Sequence, residues 1–387
     1  MAKSSIIECA NKCFTALKAQ SGANLNDGLR FSSSFDGSFG DSVARLKKLT
    51  IKNSSLLSFD VGIVWLEDHH NNEKYILIFD GGFFNKKVLV DELQNYGLEE
   101  SYKYPSLFMR ALSDSNINIL IKHGLDIKDI ETDLNESEQD INPFEFIDSY
   151  FEDFISLKVV TDDSNAWLLS PNEFFCLLIA IDRNTQHLDH SDSFINGCIS
   201  FIFNNSGSYL PYDTLEMSLA SQFWKHSFIE AYRSIESLYY LPRAMLIKDE
   251  LETVFIDDSS PVKKGRVTSI KVASLLNRHI SRKSEQVLLN DLLLMVTKDD
   301  ALLGSITENS KLITDFIEKT TWSSYTLSEK IKKVAEVIYL VRCQNVHLEY
   351  KREPYYKMDE TKYRNLVTLL WNFSFMMYQS FHDELVE

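Results

Sequence analysis

An arginine and a histidine near the end of the chain are the residues best suited to chemistry. Arg342 stands five positions before His347, in the segment Tyr339–Tyr350. Imidazole transfers protons near pH 7. A guanidinium is always charged and stabilises the negative charge that builds on an attacked phosphate. Such a pair can cleave a phosphodiester of RNA without a metal ion.

A single amphipathic helix is expected to position both residues. Five positions correspond to about 140° around a straight helix, so Arg342 and His347 flank its apolar stripe rather than share one face. If that stripe packed against a second copy of the helix, four polar groups from two chains would converge on one groove. Asn345, three positions after Arg342, is placed to orient the guanidinium. The stripe over Ser328–Tyr350 consists of Ile331, Val334, Val337, Ile338, Val341 and Leu348.

Two other clusters have residue types that bind metals. Asp68-His69-His70 has the letters of a metal phosphoesterase motif, but the further aspartates of such a site cannot be placed. The segment His187-Leu-Asp-His-Ser-Asp192 could hold zinc or another divalent ion, although a solvated loop is the simpler interpretation. Its His190 also follows Arg183, a second arginine–histidine pair in a polar loop. No nucleotide-binding or common hydrolase motif occurs, and we expect neither a metal nor a cofactor.

The hydrophobic pattern predicts an α+β protein of two domains. Gly207–Pro211 is the strongest boundary signal, which separates an acidic mixed α/β domain (1–210), with a sensory or regulatory role, from an all-α bundle (211–387). Apolar runs on either side of 68–73 predict a β-hairpin between Leu56–Glu67 and Tyr75–Phe84. The pattern also favours helices at Phe144–Leu157 and Met217–Tyr240 and permits a strand at Cys198–Phe203.

Charge is distributed unevenly along the chain. The net charge of −16 argues against nucleic acid as a ligand, but residues 216–387 carry 23 basic and 24 acidic residues, so nearly all of the acidity belongs to the first half. Within 259–283 there is no acidic residue. This stretch is either a solvated loop and helix face or an RNA-binding patch. Its candidate ligands for phosphate are Lys263, Lys264, Arg266, Arg278, Arg282 and Lys283.

Cysteine usage and hydropathy predict a cytoplasmic protein. The five cysteines are scattered without a CxxC pair, which is typical of reduced thiols. No secretory signal is evident at the N-terminus, and no run of about 18 apolar residues occurs. We therefore expect no membrane partner.

The C-terminal region, about 220–387, resembles the HEPN superfamily of all-α ribonucleases, of the Apea-like, phage-defence kind. The family signature is an arginine, four to six residues, then a histidine, and Ser227–Tyr240 looks like its first helix. The resemblance implies metal-independent RNA cleavage in a groove across a homodimer. His347 would act as general base or acid, Arg342 would stabilise the phosphorane, and Glu236 or Glu230 would orient the basic residues. Cys343 departs from the small polar residue common after the arginine.

Two hypotheses follow. In the first, the bundle is an endoribonuclease that acts as a defence or toxin-type effector through a 2′,3′-cyclic phosphate, restrained by the acidic N-terminal domain and released by a phage-derived trigger. In the second, the bundle is a non-catalytic dimerisation or binding module, and the function lies in the N-terminal domain. Cys343 and the acidic balance favour the second hypothesis.

Overall fold

The chain folds into two compact units. The structure is a computed structural model, and it describes all residues except 1, 27–29, 33–43, 115–124, 136–139, 152–153, 161–164, 206–208, 240, 248–283, 297–315, 317–318, 347–355, 383–384 and 386–387. The N-terminal unit is Met1–Thr185 and the C-terminal unit is Gln186–Glu387. This division precedes the Gly207–Pro211 signal because the helix Asp192–Asn204 packs on the last helix, Glu360–Ser380. The fold is α+β, with the sheet in the first unit and helices after it.

A five-stranded antiparallel sheet organises the N-terminal unit. The strand order is β1-β2-β3-β5-β4, and the expected hairpin is confirmed, since β2 pairs with β3 from Gly62 opposite Phe79 to Asp68 opposite Glu73. A register shift between Ile51 and Asn53 marks an irregularity in the edge strand. The strands are β1 (Leu49–Leu56), β2 (Gly62–Asp68), β3 (Glu73–Phe79), β4 (Leu98–Glu100) and β5 (Ile155–Val159).

The described helices of this unit lie before, between and after the strands in the chain. The helix expected over Phe144–Leu157 is wrong in its second half, because β5 begins at Ile155 and pairs with both β3 and β4. The described helices are α1 (Ala2–Ser21), α2 (Lys86–Leu93), α3 (Pro105–Asp114), α4 (Ile127–Asn135), α5 (Pro143–Tyr150) and α6 (Pro171–Ile181).

Both faces of the β2–β3 hairpin are buried. Val64 and Leu77 belong to a core that also contains residues of α1, α3, α4 and α5. Trp65 lies edge-on to Phe174 of α6, with ring centroids 5.7 Å apart. A strand covered on both sides needs apolar residues at successive positions, which explains why these strands read as continuous apolar runs.

A buried arginine joins the two strands of this hairpin beside its turn. Arg45 is 6% exposed, and its Nε lies 3.0 Å from the Asp68 carboxylate. Its Nη1 donates a hydrogen bond of 3.3 Å to the Tyr75 hydroxyl, and its Nη2 lies 3.6 Å from Glu73. The guanidinium carbon stacks 3.6 Å from the centroid of the Tyr104 ring. These short contacts balance the charge of Asp68, which is itself 1% exposed.

The described part of the C-terminal unit is helical. Cys198–Phe203 is helical rather than a strand: Ser191 caps the helix by accepting from the Phe194 amide, and Cys198 is fully buried. Met217–Tyr240 is not one helix, since a break at 220–223 separates two helices. Residues 241–247 are also helical. The helices are α7 (Asp192–Asn204), α8 (Tyr212–Leu219), α9 (Trp224–Glu236), α10 (Glu285–Val296), α11 (Lys319–Ser324), α12 (Leu327–Val346) and α13 (Glu360–Ser380).

Helix α13 packs against α7 and α9, and serine residues of α9 and of the preceding helix α8 form hydrogen bonds with it. Ser234 of α9 and Ser374 share a hydrogen bond of 2.9 Å, and the fully buried Trp371 donates to Ser218 at 2.8 Å. Helix α12 packs against α10 and α9, so its C-terminal turn lies near the ends of both. Among the described residues, no helix is both long and apolar enough to span a membrane.

Candidate functional site around Arg342

Helix α12 presents Arg342 at the edge of its buried stripe. Ile338 and Val341 are fully buried within the single chain, as the apolar spacing predicted. The described part of the stripe, which ends at Val341, therefore packs on helices of its own chain and is not available to a second copy, which corrects the dimer geometry expected from the sequence. Arg342 follows Val341 directly, and its side chain retains 17% exposure.

The ends of two other helices meet the Arg342 guanidinium. Glu236, the last residue of α9, places Oε1 3.9 Å from Nη2. Glu285, the first residue of α10, places Oε2 3.5 Å from Nη1. The Tyr232 ring, one turn before Glu236, has its centroid 5.7 Å from the guanidinium carbon. Two carboxylates and an aromatic face thus hold one cation, and we call these four residues the Arg342 cluster.

The cluster is held by charge and not by hydrogen bonds. A charge-assisted hydrogen bond between a guanidinium and a carboxylate is normally about 2.7–2.9 Å long, and both of these distances are longer. No hydrogen bond joins the Arg342 guanidinium to another residue that the structure describes, and Oε2 of Glu285 is shielded from solvent without a hydrogen-bond partner there. As far as the described residues go, the guanidinium therefore has N–H donors in reserve.

Asn345 carries a second donor in reserve. The residue is 9% exposed, and its Oδ1 accepts a hydrogen bond of 2.7 Å from the Tyr363 hydroxyl of α13. Its Nδ2 is buried and has no partner among the described residues. The expected orientation of Arg342 by Asn345 is not what the structure shows, because the amide oxygen is engaged by Tyr363. A buried unpaired amide donor costs free energy and calls for an acceptor.

The electrostatics of the cluster favour the charged guanidinium and neutral tyrosines. Burial lowers the pKa of Arg342, but the nearby Glu285, Tyr232 and Glu236 outweigh this and raise it. Burial also raises the pKa of Tyr232, whose hydroxyl accepts a hydrogen bond of 2.6 Å from Tyr239. A hydrogen bond with the Cys343 thiol is the main reason that the pKa of Tyr339 is raised. Cys343 thus contacts its own helix, one turn back.

The structure brings together only part of the expected site. Arg342 and Glu236 lie at ion-pair distance, whereas Glu230 pairs with Arg233 at 2.7 Å. His347 lies outside the described residues, as do all six expected RNA-binding residues, namely Lys263, Lys264, Arg266, Arg278, Arg282 and Lys283.

Glu285 and Tyr232 are members of the cluster that the sequence did not single out. Tyr232 could have been found from its position one turn before Glu236 on the same helix face. Nothing in the sequence links Glu285 to Arg342, because their proximity depends on how α10 packs against α12.

The histidine clusters have other contacts. Asp189 pairs with Arg364 of α13 at 2.9 Å. His190 is 1% exposed and lies edge-on to Phe194 and Trp224, each with a ring-centroid distance of 5.1 Å. Asp68 forms the ion pair with Arg45 described above. Among the residues described, no group of three or more His, Cys, Asp or Glu side chains is arranged to hold a metal ion.

Comparisons with known proteins give no relative from which a function could be transferred. No protein-family model matches the chain, and neither the curated proteins nor the solved structures contain a match to it. The function must therefore be inferred from the residues and contacts themselves.

Proposed function

We propose that the C-terminal unit is a metal-independent endoribonuclease of the HEPN type. The observation that carries the proposal is the state of Arg342: a partly exposed guanidinium, held in place by charge, whose N–H donors form no hydrogen bond with the described residues. A guanidinium in this state can offer a bidentate contact to a phosphate without first losing a hydrogen bond. Its helix ends at Val346, so His347 follows at the next position of the chain.

The proposed reaction needs one proton-transfer group and one permanent cation. His347 takes the proton of a ribose 2′-hydroxyl, which attacks the adjacent phosphorus, or protonates the leaving 5′-oxygen. Arg342 stabilises the charge on the phosphorane. The products are a 2′,3′-cyclic phosphate and a 5′-hydroxyl. Glu236 keeps the guanidinium at the helix end.

We further propose that two copies complete the groove. The stripe of α12 is filled by its own chain, so a second copy would approach the exposed side of the helix end. Val346 lies on that side with 47% exposure.

The biological role that fits a toxic RNA-cleaving unit is defence, with the acidic residues of the N-terminal unit limiting access of RNA to the basic stretch 259–283.

The experiment is RNA cleavage by purified full-length protein in EDTA. Wild type should yield 2′,3′-cyclic phosphate ends, and His347→Ala and Arg342→Ala should each lower the rate by about 10²-fold or more. Arg233→Ala is the matched control, since Arg233 is an exposed arginine of the same unit that pairs with Glu230. Cleavage that needs a divalent ion, or that persists in His347→Ala, would refute the proposal.

A second candidate function is supported by the same cluster. Two carboxylates more than balance the charge of Arg342, which is also what a purely structural link between α9, α10 and α12 requires. In that case the unit is a non-catalytic binding module and the function lies in the N-terminal unit. Absence of RNA cleavage by the wild type, with loss of folding stability in Arg342→Ala, would favour this candidate.

A further inference from the structure

Glu285 has the carboxylate that lies closer to the Arg342 guanidinium, and the proposed reaction assigns it no role. Its Oε2 lies 3.5 Å from Arg342 Nη1 and is shielded without a hydrogen bond to the part of the chain that the structure describes, while the side chain as a whole is 39% exposed. The helix that carries it is anchored by the fully buried Leu289, Leu292 and Leu293. The carboxylate can therefore turn towards water while its helix stays in place.

The charges around the guanidinium sum to less than zero. Arg342 contributes one positive charge, and Glu285 and Glu236 contribute two negative charges within 4 Å of it. Any phosphate that binds Arg342 must then approach two carboxylates. Coulomb repulsion is proportional to the charge of the ligand, so a doubly charged phosphate is repelled twice as strongly as a singly charged one.

We propose that Glu285 determines specificity by selecting internal phosphodiesters, which carry one negative charge, over phosphomonoesters, which carry nearly two at neutral pH. This inference rests on the proposed function, because it names the form of phosphate that the same site accepts. Glu285 also competes with that phosphate for the guanidinium, and this keeps binding weak enough for products to leave. An enzyme with this preference cleaves within a strand and ignores terminal phosphates and free nucleotides.

The Nδ2 of Asn345, which has no partner among the described residues, is an independent observation that points to an acceptor ligand. It lies one helical turn beyond Arg342, in a residue that is 9% exposed. A phosphate oxygen is an acceptor for both groups. Removing the Glu285 charge should thus strengthen anion binding without removing any donor.

The test measures binding and does not require catalysis. The ligands are a 2′-deoxydinucleotide, which is a diester without the attacking hydroxyl, and a nucleoside 5′-monophosphate, titrated against full-length protein at pH 7.5. Glu285→Gln should tighten the diester about 3-fold and the monoester about 10-fold, since doubling the ligand charge squares the factor. Glu230→Gln is the matched control, because its carboxylate is on α9 and pairs with Arg233.

A lower pH and a second variant sharpen the result. At pH 5.5 the monophosphate is mostly singly charged because its second pKa is near 6, so its 10-fold gain should fall to that of the diester. The double variant Arg342→Ala/Glu285→Gln should lose the gain altogether. Equal gains for both ligands at pH 7.5, or no change relative to Glu230→Gln, would overturn the inference even if the wild type cleaves RNA. Selective gains in a protein that does not cleave RNA would instead reject the proposed function and keep the anion selectivity.

Discussion

The two units each contain an arginine surrounded by two carboxylates and a tyrosine ring, yet the two arginines are held differently. Arg45 has its nearest carboxylate at 3.0 Å, a hydrogen bond to Tyr75, and a tyrosine ring stacked at 3.6 Å. The guanidinium of Arg342 has carboxylates at 3.5 and 3.9 Å, a ring at 5.7 Å, and no hydrogen bond to a described residue. The side chains of Arg45 and Asp68 are 7% and 0% exposed, whereas those of Arg342 and Glu285 are 17% and 39% exposed.

The difference shows that residue types alone do not separate a structural ion cluster from a candidate site. What separates them is whether the residues of the cluster already occupy the arginine's hydrogen-bond donors and balance its charge at short distance. Arg45 is enclosed and tightly paired, so its interactions contribute to folding. Arg342 is loosely paired and reachable, so a ligand can complete its interactions.

The largest expected effect is on the stability of the N-terminal unit. Arg45→Met leaves Asp68 as a buried, unbalanced charge and should lower the free energy of unfolding by about 3–5 kcal/mol. Hydrogen exchange of the β2 and β3 amides, followed by mass spectrometry, reports on this unit alone. Arg233→Met removes an exposed arginine and should change its own unit by less than about 1 kcal/mol. A similarly small change in Arg45→Met would erase the difference between the two clusters.

A smaller effect is expected on catalysis. Arg342→Lys keeps the positive charge but removes the planar fork of donors, so RNA cleavage should fall by about 10²-fold, or about 2.7 kcal/mol of transition-state stabilisation. Single-turnover cleavage rates measure this change. The melting temperature should stay close to that of wild type, because lysine keeps the positive charge that faces Glu236 and Glu285. Wild-type rates in the lysine variant would mean that only charge matters at this position.

The aromatic contacts provide the next contrast. Tyr104→Leu removes the ring stacked on Arg45 and should cost about 1 kcal/mol of stability. The ring of Tyr232 is farther from the Arg342 guanidinium than the ring of Tyr104 is from that of Arg45. Because Tyr232 is only 1% exposed, replacing it by leucine would also disturb the core, so Tyr232→Phe is the better comparison. It retains the ring and removes only the hydroxyl that accepts from Tyr239. Urea denaturation of both variants tests whether Tyr104 acts through its guanidinium contact. No loss in Tyr104→Leu would contradict this.

The smallest effect concerns acid stability. Burial raises the pKa of Glu73, but hydrogen bonds from Lys158 and Tyr75 and the charge of Arg45 outweigh it, so the pKa lies below its ordinary value. A depressed folded-state pKa stabilises the protein above the unfolded value of 4.5 and loses that contribution as the pH falls below it. The urea midpoint of the N-terminal unit should decline between about pH 5 and 3 less steeply in Glu73→Gln than in wild type. Identical slopes would exclude Glu73 as a source of acid sensitivity.

The parts of the fold that the sequence predicts are those with a long, regular pattern. The helices α12 and α13 and the β2–β3 hairpin each have enough apolar residues at a fixed period or in a bounded run. The predictions for the segments that form β5 and α7 are wrong, because a short segment of apolar and polar residues suits either structure and the choice is made by distant partners. β5 pairs with Tyr75–Ile78, about 80 positions earlier in the chain.

The candidate site also contains residues that local spacing predicts and residues that only tertiary packing brings in. Arg342, Asn345 and Glu236 could be proposed from local spacing and from the resemblance to a family. Glu285 could not, because its contact with Arg342 exists only once α10 packs against α12. The sequence also does not predict how tightly each arginine is bound. Arg45 and Arg342 differ in their contact distances and in the exposure of their partners, and both depend on the tertiary packing.

Arginine side-chain NMR of the full-length protein tests the contrast most directly. With 15N-labelled arginine, the guanidinium N–H protons of Arg45 should exchange slowly and stay unshifted when the 2′-deoxydinucleotide is added. The resonance of Arg342, assigned by its loss in Arg342→Lys, should exchange fast and shift on titration. Slow exchange at Arg342, or a dinucleotide that leaves its resonance unmoved, would show that this guanidinium is as fully engaged as Arg45 and has no place for a phosphate.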